Sequence, residues 1–152
     1  MIALALALLL APRDALGVYE GWGAFRDASP LRCYAIAKPV RRGSGAFASI
    51  ASWPRAGARN QLHIRLSRPR RADARVTLSI GERRFELQAG PNDAWAPDTR
   101  TDAAVVAAMR EGRSMSVETV SANGAPFVDS YPLKGAATAI DAAALGCVRF
   151  QA

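Results

Sequence analysis

The stretch Arg75-Val-Thr-Leu-Ser-Ile-Gly-Glu-Arg-Arg-Phe-Glu-Leu87 contains two runs of alternating apolar and polar residues around a central Gly-Glu pair. Glycine as the first residue of a two-residue turn is typical of a type II′ hairpin, whose twist suits antiparallel strands. Pairing outward from this turn places Leu78 opposite Phe85. Val76 then falls opposite Leu87 on the same face. The stretch therefore predicts an antiparallel hairpin with one buried face.

The same period-two alternation recurs along most of the chain, in short runs bounded by turn-forming residues. These further predicted strands are 19–26, 31–38, 46–53, 61–66, 114–120 and 127–133. Two segments have helical spacing instead. The first is 101–110, with Thr101 as its N-cap, and the second is the Ala-rich segment 136–145, which stops before Gly146. The pattern predicts a mainly β chain that forms a single-domain antiparallel β-sandwich with two short helices.

The composition limits both the size and the chemistry of the protein. The chain has 152 residues, of which 50% are hydrophobic and 22% are charged, and this suits one domain with its own core. It contains one histidine and two cysteines, too few ligands for a zinc finger, an iron–sulfur cluster or a multi-histidine site. We therefore expect no metal and no cofactor.

The beginning of the chain resembles an export signal. Residues 2–11 are apolar, too short a run to span a bilayer, which needs about 20 residues, but typical of the apolar region of a signal peptide. Ala15 and Gly17 supply small residues where a signal peptidase reads the chain. The sequence thus predicts a signal peptide over residues 1–17 and a β-sandwich domain over 18–152. A buried N-terminal helix is the alternative, and no membrane-spanning segment is expected in the mature chain.

Export gives the two cysteines a meaning. Cys33 lies near the start of the predicted mature chain and Cys147 near its end, and an even number of cysteines in an oxidising compartment predicts a disulfide. Closing a loop of this length stabilises the fold by about 4–5 kcal/mol in the chain-entropy description. Two reduced thiols in a cytoplasmic protein are the alternative. The expected location is the periplasm of a Gram-negative cell or the medium outside it.

The positive charge of this basic protein is unevenly distributed. The formal charge is +7, and residues 32–84 hold 13 basic but only 2 acidic side chains. The densest cluster predicts an anion-binding patch, which we call the arginine cluster: Arg65, Arg68, Arg70 and Arg71. Ordinary solvated strand faces are the alternative interpretation. For an exported protein, anionic envelope glycolipid is a better partner than nucleic acid, which we do not expect.

Residues that could support catalysis are few. A Ser-His-Asp site would have to use His63, and the chain has no Gly-x-Ser-x-Gly motif. Asp93, Asp98 and Asp102 surround Trp95 and could include a carboxylate pair for glycoside hydrolysis, although acids beside a helix start are commonly caps. No phosphate-binding glycine loop is present, since the glycines around position 22 are explained by crowding among aromatic rings. We expect no catalytic residue.

Two blocks of the sequence resemble a known family. Gly21-Trp-Gly-Ala-Phe-Arg-Asp27, followed by Arg32-Cys-Tyr-Ala-Ile-Ala37, is similar to the opening of the invasion-associated locus B family. The segment 133–145 is similar to the end of that family. The resemblance implies a small β-sandwich protein of the alphaproteobacterial periplasm or outer envelope, linked in pathogens to host-cell entry and without known catalytic activity. It carries over only Cys33 and Cys147, as a structural pair.

These observations lead to three functional hypotheses. The first is an exported, non-enzymatic envelope or periplasmic protein that binds an envelope protein, a host protein or an anionic surface component. The alternative is a secreted carboxylate-dependent hydrolase that acts on polysaccharide through acids near Trp95. The third is docking on anionic glycolipid through the arginine cluster, which would weaken steeply as salt is added.

Overall fold

The computed structural model describes residues 13–148, which form ten β-strands and two α-helices in one domain. The strands are β1 (Arg13–Tyr19), β2 (Trp22–Ala28), β3 (Leu31–Ala37), β4 (Phe47–Trp53), β5 (Ala58–Arg65), β6 (Val76–Ile80), β7 (Arg83–Ala89), β8 (Asp93–Trp95), β9 (Ser114–Val120) and β10 (Pro126–Pro132). The helices are α1 (Thr99–Glu111) and α2 (Ala136–Val148). The prediction of a single, mainly β, antiparallel domain with two helices is confirmed.

The strands form one antiparallel sheet in the order β1-β2-β3-β4-β5-β8-β7-β6-β9-β10. The two halves of this sheet approach each other. Trp22 Nε1 on β2 donates a hydrogen bond to Pro132 O at the end of β10, at 2.8 Å. After β3, the backbone N–H of Val40 donates to Ser130 O, also at 2.8 Å. The sheet is therefore curled, and its two halves enclose one hydrophobic core as the layers of a sandwich do.

The β6–β7 hairpin has the register that the sequence predicts. Leu78 pairs with Phe85 and Val76 with Leu87, and all four side chains are buried in the common core. Gly81 opens the turn with a φ of 58°, a left-handed conformation in which side chains are strained. Because the turn residues and the hydrophobic pattern favour the same register, this hairpin can be predicted without knowledge of the neighbouring strands.

Strand β1 begins inside the segment that we predict to be a signal peptide. Residues 1–12 of that segment lie outside the described residues. Residues 13–17 belong to β1, where Ala15 pairs with Phe25 and Gly17 with Ala24. Cleavage after Gly17 would leave only Val18 and Tyr19 of this strand. The signal peptide itself stays a prediction.

Both helices differ from their predicted bounds. Thr101 is not the N-cap of α1, because the helix begins at Thr99 and the carboxylate of Asp98 caps it. Helix α2 does not stop before Gly146 but continues through Val148. A side chain at Gly146 would collide with Leu16 of β1, so this glycine permits close packing rather than ending the helix.

A disulfide links Cys33 on β3 to Cys147 in the last turn of α2. Their Cα atoms are 5.9 Å apart, a normal separation for a bridged pair. Both residues are buried, and 114 positions separate them in the chain. Arg26 of the neighbouring strand adds a hydrogen bond from its Nη1 to Gly146 O, at 3.2 Å. The end of α2 is thus fastened to the sheet by one covalent and one polar contact.

We predict that the double substitution Cys33→Ala/Cys147→Ala lowers the free energy of unfolding by about 4–5 kcal/mol, because the open chain gains the entropy that this long loop removes. Urea unfolding of the oxidised protein and the variant measures the difference. Reductant should destabilise the wild-type protein by a similar amount and leave the variant unchanged. A loss below about 1 kcal/mol would contradict the entropic role of the bridge.

Candidate functional site

Two members of the arginine cluster are paired with carboxylates. Arg65 Nη1 lies 2.9 Å from an oxygen of Asp93, and Arg71 Nε lies 2.7 Å from an oxygen of Asp73. The Asp73 carboxylate has a lowered pKa, mainly because Arg71 donates a hydrogen bond to it. A ligand anion at either arginine would have to compete with an internal carboxylate. The arginine cluster as an anion-binding patch stays a prediction.

Arg70, a third member of the arginine cluster, is bonded to the backbone of the protein itself. Its guanidinium donates hydrogen bonds to backbone carbonyls of two segments, the β5–β6 connection and the end of β7. The accepting residues are Arg71, Ala72, Ala74, Ala89 and Gly90. The shortest of these bonds, to Ala74 O, is 2.6 Å. Arg70 therefore fixes the β5–β6 connection against the end of β7.

Three cations that lie close together, in the connection between β3 and β4, have no such partner in the described part of the chain. We call residues 38–46 the basic loop, since Lys38, Arg41 and Arg42 are all exposed there. Within residues 13–148, none of the three makes a salt bridge or a side-chain hydrogen bond. Gly43 and Gly45 have φ values of 96° and 79°, so the loop turns through left-handed backbone that favours glycine.

A groove of about 610 Å³ lies between the basic loop and the outward face of β2–β4. We call it the loop groove. Its apolar surface is formed mainly by four side chains: Val18, Phe25, Ile36 and Phe47. The three cations of the basic loop line its edge, and no aspartate or glutamate lines it. The loop groove is thus an apolar hollow with a purely cationic rim.

Glycine shapes the floor of the loop groove. A Cβ at Gly23 would lie 2.7 Å from the ring of Phe25, so this glycine lets the ring lie against the strand. That observation confirms that crowding explains the glycine. Phe25 in turn stacks on Tyr34 of β3, with 5.7 Å between ring centroids. A Cβ at Gly21, by contrast, has no atom of the described residues within 4 Å, so the prediction that crowding explains both glycines is wrong for this one. The groove is open at that end.

A second hollow, of about 770 Å³, lies on the other side of the basic loop, against β10. Arg41 and Arg42 line it as well, together with Arg68 and the buried Asp129, whose carboxylate accepts the backbone N–H of Ser67 at 2.9 Å. The Arg68 guanidinium lies over the ring of Phe127, 5.9 Å from its centroid. Within residues 13–148, Arg68 has no carboxylate partner. Arg68 is thus the member of the arginine cluster that lines the same hollow as the basic loop.

The three acids near Trp95 have separate roles. The Asp93 carboxylate contacts His63 Nε2 at 2.8 Å through one oxygen and Arg65 through the other. Asp98 accepts the backbone N–H of Thr101, at 2.7 Å. That hydrogen bond holds the pKa of Asp98 below its usual value. One acid is therefore an ion-pair partner and another is a helix cap.

Asp102 is the acid with the most unusual environment. It is buried, and its Oδ1 accepts the backbone N–H of Leu62 at 2.9 Å. Burial raises its pKa above the ordinary value of an aspartate. It borders a hollow of about 280 Å³ together with Trp53 and Trp95. The charge of the neighbouring Asp98 also raises the pKa of Asp102, but Asp98 is engaged as the cap of α1, whereas glycoside hydrolysis needs two cooperating carboxyl groups.

Few of the described residues could support metal binding or nucleophilic catalysis. Among residues 13–148, no three His, Cys, Asp or Glu side chains are grouped closely enough to hold a metal ion. His63 is hydrogen-bonded to Asp93, and no serine or cysteine in the described part of the chain is bonded to its ring. Neither α1 nor α2 is long and apolar enough to cross a membrane.

The fold and the site define a class of protein: a small antiparallel β domain with a disulfide-anchored helix and a cationic loop beside an apolar groove. Residues 27–144 match the family described as Invasion associated locus B (IalB) protein, and the chain belongs to that family. The resemblance expected from the sequence is confirmed. No curated protein and no solved structure matches the chain.

We predict that Arg70→Lys lowers the free energy of unfolding by about 2–3 kcal/mol, because an ammonium group cannot reach the carbonyls that the guanidinium fork reaches. The matched substitution Arg68→Lys should change it by no more than about 0.5 kcal/mol. Urea denaturation of the two variants measures both values. Equal effects would show that the carbonyl contacts of Arg70 contribute little.

We predict that Asp102→Asn makes the protein less sensitive to pH. The folded pKa of Asp102 is raised, so the folded state binds more protons than the unfolded state above about pH 4, and stability falls as pH rises. The asparagine variant keeps an oxygen for Leu62 but has no charge to bury. Its stability relative to the wild type should therefore increase from about pH 4 to about pH 7 in denaturant titrations. A constant difference over that range would contradict the prediction.

Proposed function

We propose that this protein is an exported, non-enzymatic module of the cell envelope that binds an anionic amphiphile of the envelope surface at its basic loop. One observation carries the proposal. Lys38, Arg41 and Arg42 are exposed without an internal partner in residues 13–148, beside a hollow that is apolar and free of carboxylates. Cations next to apolar surface suit a ligand with an anionic head and a hydrophobic body.

Three observations support export. The Cys33–Cys147 disulfide is typical of an oxidising compartment such as the periplasm. Family membership supports the same location, as does the apolar run that begins the predicted signal peptide, residues 1–17. A periplasmic or secreted protein meets lipid and polysaccharide surfaces that carry negative charge. We therefore propose no nucleic-acid partner.

The separate structural roles of Asp93, Asp98 and Asp102 favour a binding function over hydrolysis. A hydrolase acting on polysaccharide needs two cooperating carboxyl groups. Asp93 is held between His63 and Arg65, and Asp98 caps α1. Asp102 remains, and it already accepts a backbone hydrogen bond. We therefore favour a protein that holds its ligand and does not transform it.

We propose the basic loop, rather than the arginine cluster, as the centre of the anion site. In the arginine cluster, Arg65 and Arg71 face internal carboxylates and Arg70 is bonded to carbonyls. Arg68 alone faces the basic loop, across the hollow against β10. Electrostatic docking is thus best assigned to the basic loop together with Arg68.

We predict that the oxidised protein sediments with vesicles that contain lipopolysaccharide and not with vesicles of phosphatidylcholine alone. The variant Arg41→Gln/Arg42→Gln should bind the anionic vesicles about 30-fold more weakly, since each cation near an anionic surface contributes about 1 kcal/mol. Raising the salt concentration from about 50 to about 500 mM shortens the Debye length about threefold and should weaken wild-type binding strongly.

The matched control is Arg83→Gln/Arg84→Gln, which removes the same charge from the exposed turn of the β6–β7 hairpin. This control should bind almost as the wild type does. Equal loss in both double variants would assign the binding to net charge and overturn the basic loop as the site. Absence of binding to anionic vesicles, with capture of an envelope protein instead, would favour a protein partner and overturn the proposed ligand.

A further inference from the structure

We infer, resting on the proposed function, that the loop groove takes a single-chain alkyl anion, of which a long-chain fatty acid is the simplest. The alkyl chain lies along Phe25, Ile36 and Phe47, and the anionic head meets Arg41 and Arg42 at the rim. The inference names the class of molecule that fills the groove, whereas the proposed function names only the surface on which the protein acts.

The size of the loop groove favours a small molecule with one chain. Its volume of about 610 Å³ falls within the range of about 300–1,000 Å³ that is typical of small-molecule sites. The groove is bounded on one side by the outward face of β2–β4 and on the other by the basic loop. A ligand that lay between them would be covered on two sides and open along its length.

The surface of the groove favours an alkyl chain. Phe25, Ile36 and Phe47 are half-buried, so their exposed parts form apolar surface that no other side chain of residues 13–148 covers. Val18 extends this surface at the β1 edge, where 71% of the residue is exposed. Alkyl groups gain free energy from such surface roughly in proportion to the area that they remove from water.

The charge of the rim favours an anionic head. Lys38, Arg41 and Arg42 line the groove, and no carboxylate among its lining residues neutralises them. The guanidinium fork of arginine matches the two oxygens of a carboxylate or a phosphate. A neutral alkyl head, such as an alcohol, would gain the apolar contacts alone. The combination of a free cationic rim and an apolar floor thus selects an amphipathic anion.

The open end of the groove offers a way to block it. Gly21 lines the groove, its φ lies outside the left-handed region, and a Cβ there has nothing within 4 Å. Gly21→Leu should therefore fold normally and fill the space that an alkyl chain would occupy. Ala107→Leu, on the exposed side of α1, is the matched control that introduces the same side chain away from the groove.

Calorimetric titration of the full-length, oxidised protein tests the inference with fatty acids kept below their micelle concentrations. We expect dodecanoate to bind more tightly than decanoate, by about fourfold for each methylene that the groove accommodates. Dodecanol should bind at least about tenfold more weakly than dodecanoate, and Arg41→Gln/Arg42→Gln should remove that difference. Gly21→Leu should bind dodecanoate at least about tenfold more weakly than Ala107→Leu does.

A second measurement does not depend on any variant. Titration with dodecanoate should shift the methyl signals of Val18 and Ile36 in nuclear magnetic resonance spectra and leave that of Val128, on β10, unchanged. Equal affinity for dodecanol and dodecanoate would overturn the cationic head site. Unaltered binding by Gly21→Leu, or shifts only at Val128, would overturn the location of the alkyl chain.

The two proposals fail separately. Binding of anionic vesicles without binding of free dodecanoate would overturn the fatty-acid ligand and leave the proposed envelope-surface function standing. Binding of dodecanoate without binding of vesicles would keep the groove ligand and overturn the surface function. Dodecyl phosphate distinguishes the two head groups, because tighter binding of the phosphate than of dodecanoate would replace the carboxylate as the preferred head.

Discussion

The bond between Cys33 and Cys147 is the constraint on which the arrangement of the sheet and α2 depends. Helix α2 buries mainly small side chains, including Ala139 and Ala143, and small side chains yield little apolar area per residue. A covalent link to β3 offsets that deficit. The outward faces of β2 and β3 form the floor of the loop groove, while α2 covers the opposite side. The disulfide therefore holds α2 against the face of the sheet that lies opposite the loop groove.

The sequence predicts those parts of the fold that depend on neighbouring residues. The β6–β7 hairpin can be predicted because its turn and its apolar pattern lie within 13 residues. The disulfide can be predicted because the chain has two cysteines. Strand β8 is not readable, because three residues are too few to show alternation. Its place between β5 and β7 depends on pairing with residues far away in the chain.

The site was harder to predict, because charge density along a sequence does not show which charges have partners. The arginine cluster is the densest run of cations, yet Arg70 is bonded to carbonyls and Arg65 and Arg71 to carboxylates. Asp93 and the carbonyls of Ala89 and Gly90 lie far from these arginines along the chain, so the sequence does not show that they are partners. The Arg41-Arg42 pair was visible as a shorter run in a Gly/Ser-rich loop. Only the fold reveals that neither arginine makes a salt bridge within residues 13–148.

The overlap of β1 with the predicted export signal links processing to assembly. Residues 13–17 supply most of the hydrogen-bonding edge that β1 offers to β2. A cut before Arg13 would leave β1 as the outer strand of the sheet, whereas a cut after Gly17 would leave β2 there. An unpaired strand edge is a template for another chain. The position of that cut would thus decide which strand offers its open edge to a neighbouring chain.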